Sequence, residues 1–530
     1  MSDKRMIAIG LEAVEPTLLE KWCNEGHLPT LARLREQGAY RRIWGPSEIS
    51  SSSTWPSINC GVTPGKHGMA FIHRQFTSGT YSTVRKRAND VGRDPFWLQL
   101  NEAGKRIFTM DVPETRTYGI NGVEVVGWGL EYKTWKVDST PKGLIQDILK
   151  RYGNHPLDGW YQTKESTAEA WLDIKDKLLG AAKTRVDIVK EIMAKEQFDF
   201  SLIAYGETHF AGHLFWHIND PQHPEYDPEL EKALGQPILE IYKACDKGIQ
   251  EIIDMDPEAT VLVFSNTGMG PNYSGRHFVG EVLGRLGYRA EKVEREAPKT
   301  SGLPAGDVFA VERIEKIVGQ RNIEKIKSLI PEKIWDTVTR KFLNMGSDWK
   351  DCMAFDIPSD NTGTIRINLK GREPKGKVDP ADYDELCEKI AEQFRALTHP
   401  DTGEKLVSEV VRSHLKYPGD HSADLPDLVI KWVPGKDITV MTSPEVGEIR
   451  RDHLPDARTG AHQDVGFFLA VGEGIRHIDG QSENLEQAYN WDVAPTILQY
   501  FGLPVPADMD GKPMQDILNE SVEARTDLVA

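Results

Sequence analysis

The chain is poor in cysteine for its size. Cys23, Cys60, Cys245, Cys352 and Cys387 are scattered over 530 positions, with no Cys-x-x-Cys pair and an odd total. That argues against a disulfide framework and against a zinc finger. Long apolar runs are also missing, and none approaches the ~18–20 residues that cross a bilayer. Positive charge is short as well. A formal net charge of −17 offers no broad basic surface to a phosphate backbone, so nucleic acid is not an expected partner. A small anionic substrate stays compatible, because a local site can be positive on a negative protein. The opening "MSDKRMIAIGLEAVEP" has a charged start and only a short apolar run. It reads as a first β-strand and not as a signal peptide, so the expected location is the cytoplasm, with no membrane partner. Whether the chain forms a homo-oligomer is left open.

What is present is a regular alternation of strand-like and helix-like segments, in a chain long enough for a large core and more than one domain. "RMIAIGL" (5–11), "RIFTMDV" (106–112), "VEVVGW" (123–128), "FSLIAY" (200–205) and "TVLVFS" (260–265) read as buried strands. "DLVIKW" (427–432) and "VGFFLAVGEG" (465–474) read as further strands of the same kind. Residues 16–26 and 28–38 read as short helices stopped by glycine. Residues 166–197 open on a Ser/Thr cap and keep apolar residues at i, i+3, i+4, which predicts one long amphipathic helix. Residues 229–254 and 492–502 read as helices too. Near-continuous apolar strands alternating with helices predict an α/β fold: a central, largely parallel sheet with helices on both faces. The texture changes between 281 and 375, where charged stretches surround a helical piece (322–344) broken near Pro331. The expected organisation is a discontinuous core, 1–280 and 376–530, with 281–375 as a cap or insertion.

Four clusters carry candidate chemistry. In "YGETHFAGHLFWH" (205–217), His209 and His213 stand at i, i+4 directly after a strand. On a helix both imidazoles would share one face and could share a metal; two histidines that only cap and pack are the plainer alternative. "TGAHQDVGFF" (459–468) places His462 just before another strand, which matters only if the fold brings it to the other two. "GPSEISSSSTWPSINCGVTPGKHG" (45–68) offers hydroxyls from Ser50 to Thr54 ahead of a short helix. One of these could be a nucleophile; an N-cap in a polar turn is the commoner use. Glu12 follows the first strand, as a metal ligand, a base, or a helix N-terminal acid. A further turn, "SNTGMG" (265–270), ends a buried strand with Asn266 and Thr267 where catalytic sites often carry charged groups.

Together and in this order, these clusters resemble the alkaline phosphatase superfamily, in its type I phosphodiesterase/nucleotide pyrophosphatase branch. "IGLEAVEPTLLEKWCNEGHLPTLARLREQG", "WPSINCGVTPGKHGM", "GTIRINLKGREPKG" (363–376) and "DVAPTILQYFGLPVPADMDGKP" (492–513) are similar to segments of that branch, and the likeness covers nearly the whole chain. The resemblance implies an alkaline phosphatase-like fold and two divalent metals beside a Thr or Ser nucleophile. Glu12 stands where the branch has an aspartate. Ser51, four residues before Trp55, takes the nucleophile position, with Thr54 as its rival. His209 and His213 replace an Asp-x-x-x-His motif, and His462 matches a late metal histidine. Ser265, Asn266, Thr267 and Gly268 replace Ser-Asp-His-Gly, so both metal ligands of that motif are gone.

These departures imply one metal, not two. His209, His213 and His462, with Glu12 as a further ligand, would hold one divalent transition metal, zinc before iron, manganese or copper. Ser51 and Glu12 are then the candidate catalytic residues, and Asn266, Thr267 and Thr54 the candidate substrate-binding residues. Trp216, Arg276 and Arg366 are available to contact an anion or a ring. The expected function is a metal-dependent hydrolase of a phosphoester, phosphonate or related anionic small molecule. The alternatives are a non-hydrolytic metalloenzyme on the same scaffold (an iron- or copper-dependent oxygenase, a lyase or an isomerase) and a binding module that has lost activity.

Overall fold

The computed structural model describes residues 4–129, 137–157, 167–289, 349–451, 458–478 and 486–519. The helix read at 322–344 lies outside them. By contact the chain divides into two units: Met1–His67, Arg87–Asn272 and Pro455–Ala530 form one, Gly68–Lys86 and Tyr273–Leu454 the other. This division differs from the sequence-based one, which gives 68–86, 273–280 and 376–454 to the core and confines the cap to 281–375.

The first unit is built on strands β1 (Met6–Leu11), β2 (Ala39–Trp44), β3 (Ile107–Met110), β4 (Gly122–Val126), β5 (Asp138–Thr140), β6 (Phe200–Tyr205) and β7 (Thr260–Ser265). After these come β8 (Gly268–Pro271), β9 (Gly460–Gln463), β10 (Val465–Val471) and β11 (Ala488–Tyr489). Among the described residues, nine of them make one sheet in the order β11-β2-β10-β7-β1-β6-β3-β4-β5. All run the same way except β10, antiparallel to β2 and β7, and the edge strand β5. The fold is therefore the expected α/β class with a largely parallel sheet. β10 corrects one expectation, that "VGFFLAV" is another strand of the parallel set. A run buried on both faces looks the same whichever way it runs.

Successive strand residues feed opposite faces, as a pleat requires. Ile7, Ile9, Ile203, Val261 and Val263 enter a core covered by α1 (Pro16–Asn24), α2 (Pro29–Gln37), α4 (Ala168–Met193), α5 (Glu207–Asn219) and α6 (Pro237–Ile253). Met6, Ala8, Phe200, Leu202 and Leu262 enter the other, covered by α3 (Thr54–Cys60) and α7 (Val493–Tyr500). Thr167 caps α4, its hydroxyl accepting from Ala170 N at 3.2 Å. The helix read across 229–254 is two pieces, Pro228–Leu234 and α6, separated at Gly235 with φ +71°.

The second unit contains a four-stranded antiparallel sheet in the order Ala354–Asp356, Gly363–Ile367, Leu428–Trp432, Val407–Arg412. "DLVIKW" belongs here and not to the parallel sheet, a second correction with the same cause. Arg366 is fully buried, donating to Glu373 at 2.6 Å and to Leu425 O at 2.7 Å, so its role is internal to this unit. The five cysteines are buried free thiols. No described helix is long and apolar enough to cross a membrane.

Candidate metal centre and active site

Three adjacent parallel strands, β7, β1 and β6, deliver the site at their carboxyl ends, where α/β sheets place ligands. Glu12 follows β1, Asn266 follows β7, and β6 runs through Gly206 into α5. That junction puts His209 and His213 one turn apart on a single face. His462 comes from β9, whose antiparallel pairing with β8 sets His462 opposite Met269.

The fold brings the three histidines together. His209 Nε2 and His462 Nε2 are 3.1 Å apart, and one ligand nitrogen from each of the three lies within 4.8 Å of the others. Two nitrogens bound to one tetrahedral ion at 2.0–2.1 Å would sit roughly 3.3 Å apart, so the separation suits a shared cation. His213 Nδ1 lies 2.7 Å from Gly460 O. A carbonyl only accepts, so Nδ1 carries the proton and Nε2 keeps its lone pair, the tautomer that a metal ligand needs. Burial, followed by the neighbouring His209, holds His213 and His462 well below the ordinary imidazole pKa. Both are neutral at neutral pH and ready to ligate. Glu12 Oε1 approaches His209 Nδ1 at 3.8 Å. Glu12, expected as a further ligand, thus faces the other ring nitrogen and is not in the clustered group; the donor set that fits one divalent ion is the three imidazoles.

A second group sits beside it. Asn266 Oδ1 accepts from Ala13 N at 3.1 Å, and Asn266 Nδ2 donates to Thr54 Oγ1 at 2.8 Å. The backbone N–H of Ala13 can only donate, which fixes the orientation of the amide. Ala13 itself has φ +56°, unusual for a residue with a side chain, at the position that turns β1 toward the site. Thr54 opens α3, is fully buried, and donates from Oγ1 to Ser51 O at 2.6 Å. Ser51 begins a single 3₁₀ turn, Ser51–Ser53, capped by the Ser50 hydroxyl. Thr267 donates from Oγ1 to Gln463 O, tying the turn after β7 to the residue next to His462.

The type I phosphodiesterase/nucleotide pyrophosphatase family model matches residues 6–456 of the sequence. The chain belongs to this family. Its members are hydrolases of the alkaline phosphatase superfamily. No curated protein matches the sequence. Among solved structures, phosphonoacetate hydrolase from Sinorhizobium meliloti 1021, in complex with phosphonoacetate, is similar at 13% identity, covering 93% of this chain and 94% of that one, with a TM-score of 0.49. Murine ectonucleotide pyrophosphatase/phosphodiesterase 5, an inactive form in complex with AMP, is similar at 11% identity over 97% and 100% of the two chains, with a TM-score of 0.46. Likeness at this level does not extend to what this chain binds.

Sequence reasoning missed the supports beneath the family site. Arg185 is fully buried on α4 and pairs with Asp111 at 2.7 Å and Glu207 at 3.0 Å. Glu207 is the first residue of α5, two before His209, so its pair with Arg185 anchors the turn that presents His209. Its members lie 74 and 22 positions from Arg185, a separation that no local pattern reports.

Proposed function

We propose that the chain is a metal-dependent hydrolase of a phosphoester, phosphonate or related small anionic molecule, with one divalent ion held by His209, His213 and His462. The observation that carries this reading is three buried imidazoles converging beside a hydroxyl–amide pair, Thr54 and Asn266, at the carboxyl ends of β1, β6 and β7. Family membership supports hydrolysis over the oxygenase, lyase or isomerase alternatives.

When bound, a divalent ion on this ligand set, zinc first, would supply Lewis-acid polarisation of a substrate oxygen. The rest falls to the chain. Two hydroxyls compete for the nucleophile, Ser51 and Thr54. We assign Thr54, because its Oγ1 already receives the Asn266 N–H, a donor placed to stabilise negative charge as the hydroxyl proton leaves. The proton rests on the Ser51 carbonyl side of Oγ1 and must be removed for attack. Glu12, which follows β1 and whose carboxylate approaches His209 Nδ1 at 3.8 Å, is the carboxylate we propose as the base. Asn266 holds no charge and directs its oxygen at a backbone N–H, so this position serves the nucleophile and not a second ion. Thr267 ties this turn to the carbonyl of Gln463, the residue after His462.

The test is turnover of an aryl phosphodiester and an aryl phosphonate monoester by the zinc-supplemented protein. Loss in Thr54→Ala, with activity kept in Ser51→Ala, supports the assignment. The reverse pattern returns the nucleophile to Ser51. No hydrolysis of either compound by the zinc-loaded chain counts against the reading as a whole.

A further inference from the structure

His462 is the ligand that arrives from furthest away in sequence, 249 positions after His213, and something must hold its strand on α5. The two residues that open its segment, Thr459 and Gly460, are committed to that helix. Thr459 N donates to His213 O at 2.8 Å. Thr459 Oγ1 is shared between His213 O at 3.2 Å and Leu214 O at 3.3 Å, and it accepts from His217, whose Nδ1 is 3.0 Å away. Thr459 O accepts from His223 Nε2 at 3.1 Å and from Asn272 N at 2.9 Å. Glu225 N donates to His223 Nδ1 at 3.1 Å, which fixes that ring with its proton on Nε2.

Gly460 makes the closest approach. Its carbonyl receives the Nδ1 proton of His213 at 2.7 Å. A Cβ on Gly460 would lie 2.1 Å from Gly212 O and 3.2 Å from Trp216 Cβ, so backbone rests on backbone and no side chain fits. Facing it, Gly212 is equally without room, because a Cβ there would meet the Met269 side chain at 2.7 Å. Met269 is the residue paired with His462 across β8 and β9.

We propose that Thr459 and Gly460 are positioning residues for the metal centre: they lock β9 onto α5, so that His462 Nε2 stands 3.1 Å from His209 Nε2 and the lone pair of His213 faces the same point. The inference rests on the three-histidine reading above. His217 and His223 then have a defined job. They do not ligate; they hold the Thr459 hydroxyl and carbonyl.

The test is zinc affinity of the full chain, measured on apoprotein by competition with a chromophoric chelator, beside far-UV circular dichroism and thermal unfolding of the apo form. Gly460→Ala and Thr459→Val should each weaken zinc binding about 10- to 100-fold, the usual effect of removing an orienting partner, while Thr459→Ser keeps the hydroxyl and rescues affinity. If Gly460→Ala does not fold, the contrast between Thr459→Val and Thr459→Ser carries the test. Folded variants with wild-type affinity overturn the clamp while leaving the metal site standing. Zinc loss that only tracks lost helical signal also overturns it. A wild-type chain that binds no zinc overturns the three-histidine reading, and the clamp with it.

Discussion

Asn266 donates its amide N–H to Thr54 Oγ1 across 2.8 Å, and its amide oxygen is held by the N–H of Ala13. A carboxylate at this place could accept from Ala13 but could not donate to Thr54. Asn266→Asp should therefore lower kcat/KM by about 10²-fold, the scale for removing one donor from a developing oxyanion, with little change in thermal stability. Steady-state kinetics with zinc present measure this, and unchanged kcat/KM would show that the amide does not act on Thr54.

Gly10 of β1 lies under the residue that follows Thr54. A Cβ there would stand 2.4 Å from the Trp55 ring, which also packs edge-on against Phe264 with centroids 5.6 Å apart. Gly10→Ala must push Trp55 and the first turn of α3. Overpacking of this kind costs about 1–3 kcal/mol. Turnover should fall while zinc content is retained, since the histidines are on other elements. Equal loss of zinc and turnover would show that the two halves of the site are not separable.

Much of this was legible in sequence. β1, β6 and β7 are mostly apolar and buried along their whole length, and the i, i+4 spacing of His209 and His213 needs only a helix to bring the pair together. The direction of β10 and the separate sheet of Leu428–Trp432 were not legible, because an apolar run reports burial and not its neighbours. Gly235 split a helix read as continuous, since periodicity carries across a short break. Thr459 and Gly460 were invisible for another reason: small residues have no pattern, and their value lies in how closely two backbones approach. Arg185 was equally silent, as its meaning comes from two distant carboxylates.

Those carboxylates give a pH prediction. Burial by itself would raise the Glu207 pKa, but Arg185 and His155 outweigh it and bring it from 4.5 down to about 2. A depressed carboxylate contributes stability that is complete above its unfolded value and is lost as pH falls through the folded one. The wild-type chain should thus lose stability between about pH 4.5 and pH 2. Arg185→Gln leaves Glu207 and Asp111 buried without their cation, which costs roughly 3–5 kcal/mol at neutral pH; burial then acts on Glu207 without its main counterweight, so the acid loss seen in the wild type should shrink or reverse in the variant. Urea unfolding at a series of pH values tests both points; identical pH profiles for the two proteins would contradict the role given to Arg185.

The central claim is that three imidazoles hold a single ion where the family holds two. Elemental analysis of the purified chain after zinc loading and gel filtration tests it most directly. The account predicts about one zinc per chain, falling to near zero in His209→Ala and unchanged in Asn266→Ala. Two zinc ions per chain, or one that survives His209→Ala, would contradict it.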